Sequence, residues 1–291
     1  FIEININKRY ITLAPVSNLI GLAFNLEDPD NLLKKGIPGI TVALIEGDHP
    51  GLIKNTYHNP MGIGFPNGTL KGTLRIDLDN VIGGESSVGN GWKMLMECLS
   101  AGRGICLPAT ANASSKVSAY SMLNYTRHRK QFNRSLIEME GIQKKLINIF
   151  FSTWCIQSSI YLTNYMLDNN ERPSVISAIM KEQCTERARD CLTNALDIYA
   201  GSGICLGKNN YLEKFYRAAP VGITVEGSNT LTNSLIIFGQ GLNKSHPHIS
   251  NILDSILENN VDKFSNHFNA ILYDSISIYF KSIISNNLKK N

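Results

Sequence analysis

The hydrophobic period of this chain changes once, near residue 84, and that change limits what it can fold into. Before it lie "ITLAPV", "LIGLAFNL", "GITVALIEG" and "TLRIDLDN", in the last of which Leu74, Ile76 and Leu78 alternate with polar residues. A period of two belongs to strands with one buried face. Pro29, "KKGIPG", "HPG" and "FPNG" supply the steep turns of an antiparallel β-domain. After the change, Ile142, Leu146, Ile149, Phe150 and Trp154 fall on one helical face, as do Met180, Cys184, Ala188, Cys191 and Ala195. Breaks at "NNERPS" and "YAGSGICLGKNN" divide this part into a bundle of about four antiparallel helices. Beyond "GQGLNKSHPH" a further amphipathic stretch runs into a tail with Lys289 and Lys290, read as solvated.

The expected fold class is therefore α+β: an antiparallel β-domain over residues 1–84, a helical bundle over 85–243, and an appended helical region over 244–291. The first residues, "FIEININKRY", include neither an initiator Met nor the pattern of a signal peptide, so the chain is expected to be a piece of a longer one, its β-domain partial.

Composition excludes several functions. The net charge is +4, and 28 basic against 24 acidic residues do not gather into the basic, aromatic-interleaved stripe that nucleic acid requires. The most apolar window, "LINIFFSTWCIQSSIYL", carries Asn148, Ser152, Thr153, Gln157, Ser158 and Ser159, too many polar groups for a membrane span, and is read as a buried helix. Six cysteines without CxxC spacing suit small buried thiols in a reducing cytosol. Of the six histidines only His246 and His248 are close in sequence, and no set has ligand spacing, so no metal is expected.

One carboxylate stands out. In "PVGITVEGSNTLTNSL", Glu226 follows the apolar run Val221, Ile223 and Val225 and precedes a glycine. Burying an unpaired carboxylate is costly, so such a residue is solvated, paired, or kept for a purpose. Taken alone it reads as an exposed loop charge beside Ser228. Likewise Arg129 alone is a helix-end cation, "GSG" a helix stop, and Tyr10 a strand aromatic.

Taken in order, these segments resemble the acyl-CoA dehydrogenase family, most closely its large bacterial fatty-acid β-oxidation branch with an extra carboxyl-terminal region. "KRYITLAP" is similar to the family's K-x-W-I-T, which implies that Tyr10, Ile11 and Thr12 lie against a flavin ring, with Tyr10 where Trp is commoner. "RHRKQF" is similar to R-x-x-F-G, which implies that Arg129 and Phe132 reach the pyrophosphate of an FAD held largely by a neighbouring subunit; Asn133 replaces glycine, and asparagine tolerates a left-handed backbone. "DIYAGSGI" is similar to Q-x-x-G-G-x-G at the adenosine end: Gly201 and Gly203 match, while Asp197 stands for Gln and Ala200 for Gly. The Glu226 stretch is similar to the family's Y-E-G-T loop, which implies that Glu226 is the catalytic base, that Gly227 lets the substrate approach, and that Ser228 and Thr230 face the flavin. The family's other base position falls on Gly102, and Arg103 is similar to a residue near CoA.

The resemblance implies an FAD-dependent dehydrogenase converting medium- or long-chain acyl-CoA to trans-2-enoyl-CoA. It further implies an electron-transferring flavoprotein as acceptor and at least a homodimer, and an amino-terminal helical domain lying upstream of Phe1. Proton removal beside a thioester carbonyl needs a base within hydrogen-bond reach in a site sheltered from water. The rivals are an acyl-CoA oxidase of the same fold and a non-catalytic helical assembly protein; the retained Glu226 speaks against the second.

Overall fold

The computed structural model describes residues 1–171, 174–241 and 246–288. It divides into two compact units, residues 1–228 and the part from Asn229 onward. The expected boundary between 243 and 244, Pro173 of the "NNERPS" break, and the Lys289–Lys290 tail lie outside the described residues.

The first unit opens with strands β1 (Ile2–Thr12), β2 (Leu19–Leu26), β3 (Gly39–Glu46), β4 (Leu52–His58) and β5 (Asn67–Ile76). They form an antiparallel three-stranded sheet in the order β1-β5-β4 and an antiparallel β2-β3 pair. Alternation places Ile4 and Ile6 of β1 and Leu70, Leu74 and Ile76 of β5 in one core with Ile20, Leu22, Ala43 and Ile45 of the other pair. Each of the leucine and isoleucine side chains contributes about 1.5–3 kcal/mol when fully buried.

The "TLRIDLDN" strand ends earlier than its alternation suggests. Asp77 and Asn80 close a capping box, with the Asp77 N–H donating to Asn80 Oδ1 at 3.2 Å, and turn Leu78–Asn80 into a 3-10 turn. At the centre of the sheet Gly72 has φ +137°, and a Cβ there would stand 2.0 Å from the Gly51 carbonyl oxygen, so β4 and β5 approach only because this residue lacks one.

Helix α1 (Gly91–His128) leads from the sheets into a bundle with α2 (Glu140–Asp168), α3 (Ser174–Tyr199) and α5 (Leu212–Thr224), the short α4 (Gly201–Ile204) lying between the last two. Ala119 and Met122, Leu146 and Ile149, Cys191 and Ala195, and Leu212 bring the four long helices to one core. Between α1 and α2, β6 (Lys130–Gln131) and β7 (Arg134–Ser135) form a two-residue hairpin. Phe132 and Asn133 both have positive φ there, 50° and 60°, as the mirror-image turns of tight hairpins require.

Two expectations are corrected here. Helix α2 is not a buried helix: it buries Leu146, Ile149 and Ile156, while Phe151 and Tyr161 are exposed, as is Trp154 at 66%. Its polar residues do not interrupt a buried cylinder, because only one stripe faces the bundle. Of the cysteines, Cys184 and Cys191 are buried, whereas Cys98, Cys106 and Cys205 are exposed and Cys155 lies between.

The second unit contains α6 (Asn229–Leu231), which continues as a π-helix over Thr232–Gln240, then α7 (Ile249–Leu257) and α8 (Val261–Leu288). No described helix is long and apolar enough to cross a membrane.

Candidate active site

The Glu226 turn begins where α5 stops. The Val225 N–H makes the last helical bond, to the Val221 carbonyl at 2.9 Å. Glu226 and Gly227 then adopt φ values of +54° and +88°. Glycine does this freely, but glutamate does so at a cost of about 1–3 kcal/mol unless its surroundings hold it. Among the described residues, Glu226 is open to solvent.

Two cations stand behind it. Lys181 of α3 is completely buried, and its Nζ donates to the Ile223 carbonyl at 2.8 Å and the Gly227 carbonyl at 2.7 Å. Burial pushes it down to about 8, opposed first by the Glu226 charge; nearby Arg103 lowers it further, while Glu186 and Glu182 raise it. Arg103 of α1 is 6% exposed, with Nη2 at 3.5 Å from the Ser177 hydroxyl and Nε without a hydrogen-bond partner. Burial lowers its pKa and Glu226 again opposes. Arg103, expected near a CoA group, is buried in α1 close enough for the Glu226 charge to act on it.

Beside the turn, Val221, Gly222 and Val225 line an apolar cavity of about 280 Å³ that is shared with Ala111 of α1, Leu192 of α3 and Phe65. Arg217, one turn earlier on α5, bonds Glu213 at 2.6 Å and the Gly62 carbonyl at 3.2 Å.

The other expected site residues fall into separate groups. Tyr10 (φ +58°) is exposed at a bulge in β1 with its ring 4.9 Å from that of His58; Ile11 is half-buried and Thr12 exposed, paired across the sheet with Asn67. Arg129 is exposed where α1 ends, bordering an open groove with Tyr125, Tyr199 and Tyr211, and Phe132 at the hairpin tip is 88% exposed. Asp197 is held by Lys145 at 2.7 Å. Gly201 and Gly203 lie in α4, preceded by Ala200 at φ +51°, ψ −128°. Ser228 is half-buried at the end of the turn. Thr230, in α6 of the second unit, accepts the Ser234 hydroxyl on its carbonyl at 2.9 Å. Among the described residues no His, Cys, Asp or Glu cluster could hold a metal.

Sequence reasoning missed Lys181 and Arg217 as parts of this site. For Lys181 a signal existed: Ser177, Lys181, Cys184, Ala188, Cys191 and Ala195 form one buried stripe, with a lysine among small residues.

A helical bundle fed by antiparallel sheets thus carries the Glu226 carboxylate on a positive-φ turn that follows α5. Residues 89–238 match the family described as "Acyl-CoA dehydrogenase, C-terminal domain", and the chain belongs to that family. It is 29% identical over 238 residues to 3-(aryl)acrylate reductase of Clostridium sporogenes, a match covering 80% of this chain and 59% of that protein. It is 43% identical over 99 residues to protein HemX of Proteus mirabilis, covering 33% of this chain and 58% of that one. A solved structure of PigA with FAD and proline superposes with a TM-score of 0.70 at 19% identity, over 82% of this chain and 60% of that one. The chain thus spans about three fifths of the length of each of these proteins.

Proposed function

We propose that the chain serves the FAD-dependent oxidation of an acyl-CoA to its trans-2-enoyl-CoA, with Glu226 as the base. The observation that carries the reading is the turn: an exposed carboxylate on a left-handed backbone, backed by two buried cations and adjoining an apolar cavity. Glycine at position 102 leaves Glu226 as the one carboxylate at either base position of the family. Glu226 takes the α-proton, the electron pair of that C–H bond becomes the new double bond, and the β-hydrogen leaves as hydride. FAD, when bound, supplies the hydride acceptor. The Glu226 N–H is the donor we assign to the thioester oxygen, and Gly227 lets the thioester come close. To Arg103 we give an electrostatic role beside the base rather than a contact with CoA.

The residues present suit the cofactor. An exposed guanidinium at Arg129 and a solvent-facing ring at Phe132 match the nucleotide end, and the exposed Tyr10 ring and Thr12 hydroxyl match a planar ring system. Asp197 is already engaged by Lys145 and offers less. The resemblance to the bacterial β-oxidation branch supports medium to long acyl chains, an electron-transferring flavoprotein as acceptor, a cytoplasmic location, and a homo-oligomer that shares flavin between subunits. The test is stopped-flow flavin bleaching by acyl-CoA with FAD present. Glu226→Gln is expected to reduce the rate by roughly several powers of ten while still binding substrate. Near-normal reduction in that variant would place the base elsewhere.

A further inference from the structure

We infer that Lys181 is a positioning residue for Glu226, its ammonium fastening both ends of the turn that carries the base. The inference rests on the reading of Glu226 as the base. A completely buried lysine is rare, because an ammonium taken from water must be compensated by acceptors and charge. Its acceptors include two main-chain carbonyls on either side of Glu226, Ile223 in the last turn of α5 and Gly227 just beyond the base. The first belongs to the negative end of a helix, where a cation is favoured. The second follows two residues in the left-handed region, a backbone that glutamate does not adopt of its own accord.

One side-chain atom on α3 therefore fixes the distance between the end of α5 and the carbonyl after the base. The charged groups facing that atom are Glu226 of the turn, Arg103 of α1, and Glu182 and Glu186 of α3. With its pKa lowered to about 8, Lys181 is still mainly an ammonium at neutral pH, so the bonds it donates are charge-assisted. The rest of the stripe is serine, cysteine and alanine, so core packing alone gives no reason for a lysine at this position.

The experiment compares wild type with Lys181→Met, Lys181→Gln and Glu226→Gln in the full chain. Amide hydrogen exchange is read by mass spectrometry, and transfer of solvent deuterium to the acyl-CoA α-carbon is followed with FAD present. Lys181→Met should raise exchange over residues 223–228 by about tenfold or more while leaving the α2 core unchanged. It should also lower the kcat of α-exchange by about a hundredfold, with KM within about threefold, because binding survives while the base is misplaced. Lys181→Gln, which keeps two N–H donors without the charge, should fall between. Glu226→Gln should leave the turn's exchange as in wild type and abolish α-exchange. Unchanged protection of 223–228 in Lys181→Met overturns the positioning role whatever the activity, and so does wild-type kcat in that variant when Glu226→Gln is inactive. Wild-type activity in Glu226→Gln, by contrast, overturns the base. If Lys181→Met fails to fold, the Gln variant decides by the same two readings.

Discussion

Arg217 reaches from α5 to the carbonyl oxygen of Gly62, 3.2 Å from its Nη1, while Glu213 holds its Nε at 2.6 Å. The helix that ends at the Glu226 turn is thereby pinned to the loop before β5. Met61 and Gly62 both have positive φ, and a Cβ on Gly62 would stand 2.8 Å from Arg217 Nη1.

Arg217→Ala is accordingly expected to destabilise the first unit by about 1–2 kcal/mol, the worth of a charge-assisted bond to a partly exposed group. Gly62→Ala should destabilise it too, through the strained backbone and the displaced guanidinium. Urea unfolding checks both. If the two variants together cost no more than either alone, they act on one contact.

Ala200 occupies φ +51°, ψ −128°, a conformation that glycine adopts and alanine does not. Replacing it should relieve strain in the folded chain and add entropy to the unfolded one, and the first effect is the larger. Ala200→Gly is expected to stabilise by about 1 kcal/mol, seen as a rise in thermal midpoint.

Arg129 has its main chain fixed at both sides, its N–H on the Tyr125 carbonyl at 2.8 Å and its carbonyl on the Leu136 N–H at 2.9 Å, while the side chain is exposed. Arg129→Ala should leave the helix signal unchanged and weaken FAD binding by about 1.5–3 kcal/mol in a flavin titration. Equal affinity would reduce Arg129 to a helix-end charge.

What the sequence disclosed follows from which forces are local. The alternation of Ile4, Ile6, Leu74 and Ile76 and the helical stripe through Cys184 and Cys191 are periodic, and burial follows the period. Strand β4 lacks an apolar alternation because Lys54, Asn55 and Thr56 make it polar; as an edge strand it is held mainly by backbone bonds to β5. The exposure of Phe151 and Trp154 is not legible in the sequence, since a helix with apolar residues on more than one face does not say which stripe meets the bundle. In the candidate site, the turn at Glu226 was marked by the glycine that follows it. Lys181 and Arg217 act on carbonyls roughly 40 and 150 residues away in sequence, and no spacing rule reaches that far.

The buried ammonium also has a signature in global stability. Lys181 has a folded-state pKa of about 8 against an ordinary value of 10.5. Between those values the unfolded chain holds more protons than the folded one, so stability contributed by this group rises with pH. Below pH 8 the penalty for the buried charge is fully present; above 10.5 it is gone, a difference of at most about 3 kcal/mol. The two buried thiols pull the other way, because burial raises Cys184 to about 12 and Cys191 to about 11, and their stabilising effect fades above the ordinary thiol value of 9.0. Wild type and Lys181→Met share those thiols, so the difference between the two proteins isolates the lysine. Urea unfolding below pH 8, near 9 and above 10.5 should show wild type gaining on the Met variant as pH rises. A difference that stays flat across that range would mean that water reaches the Lys181 ammonium, and that its hold on the turn is weaker than the two carbonyl bonds imply.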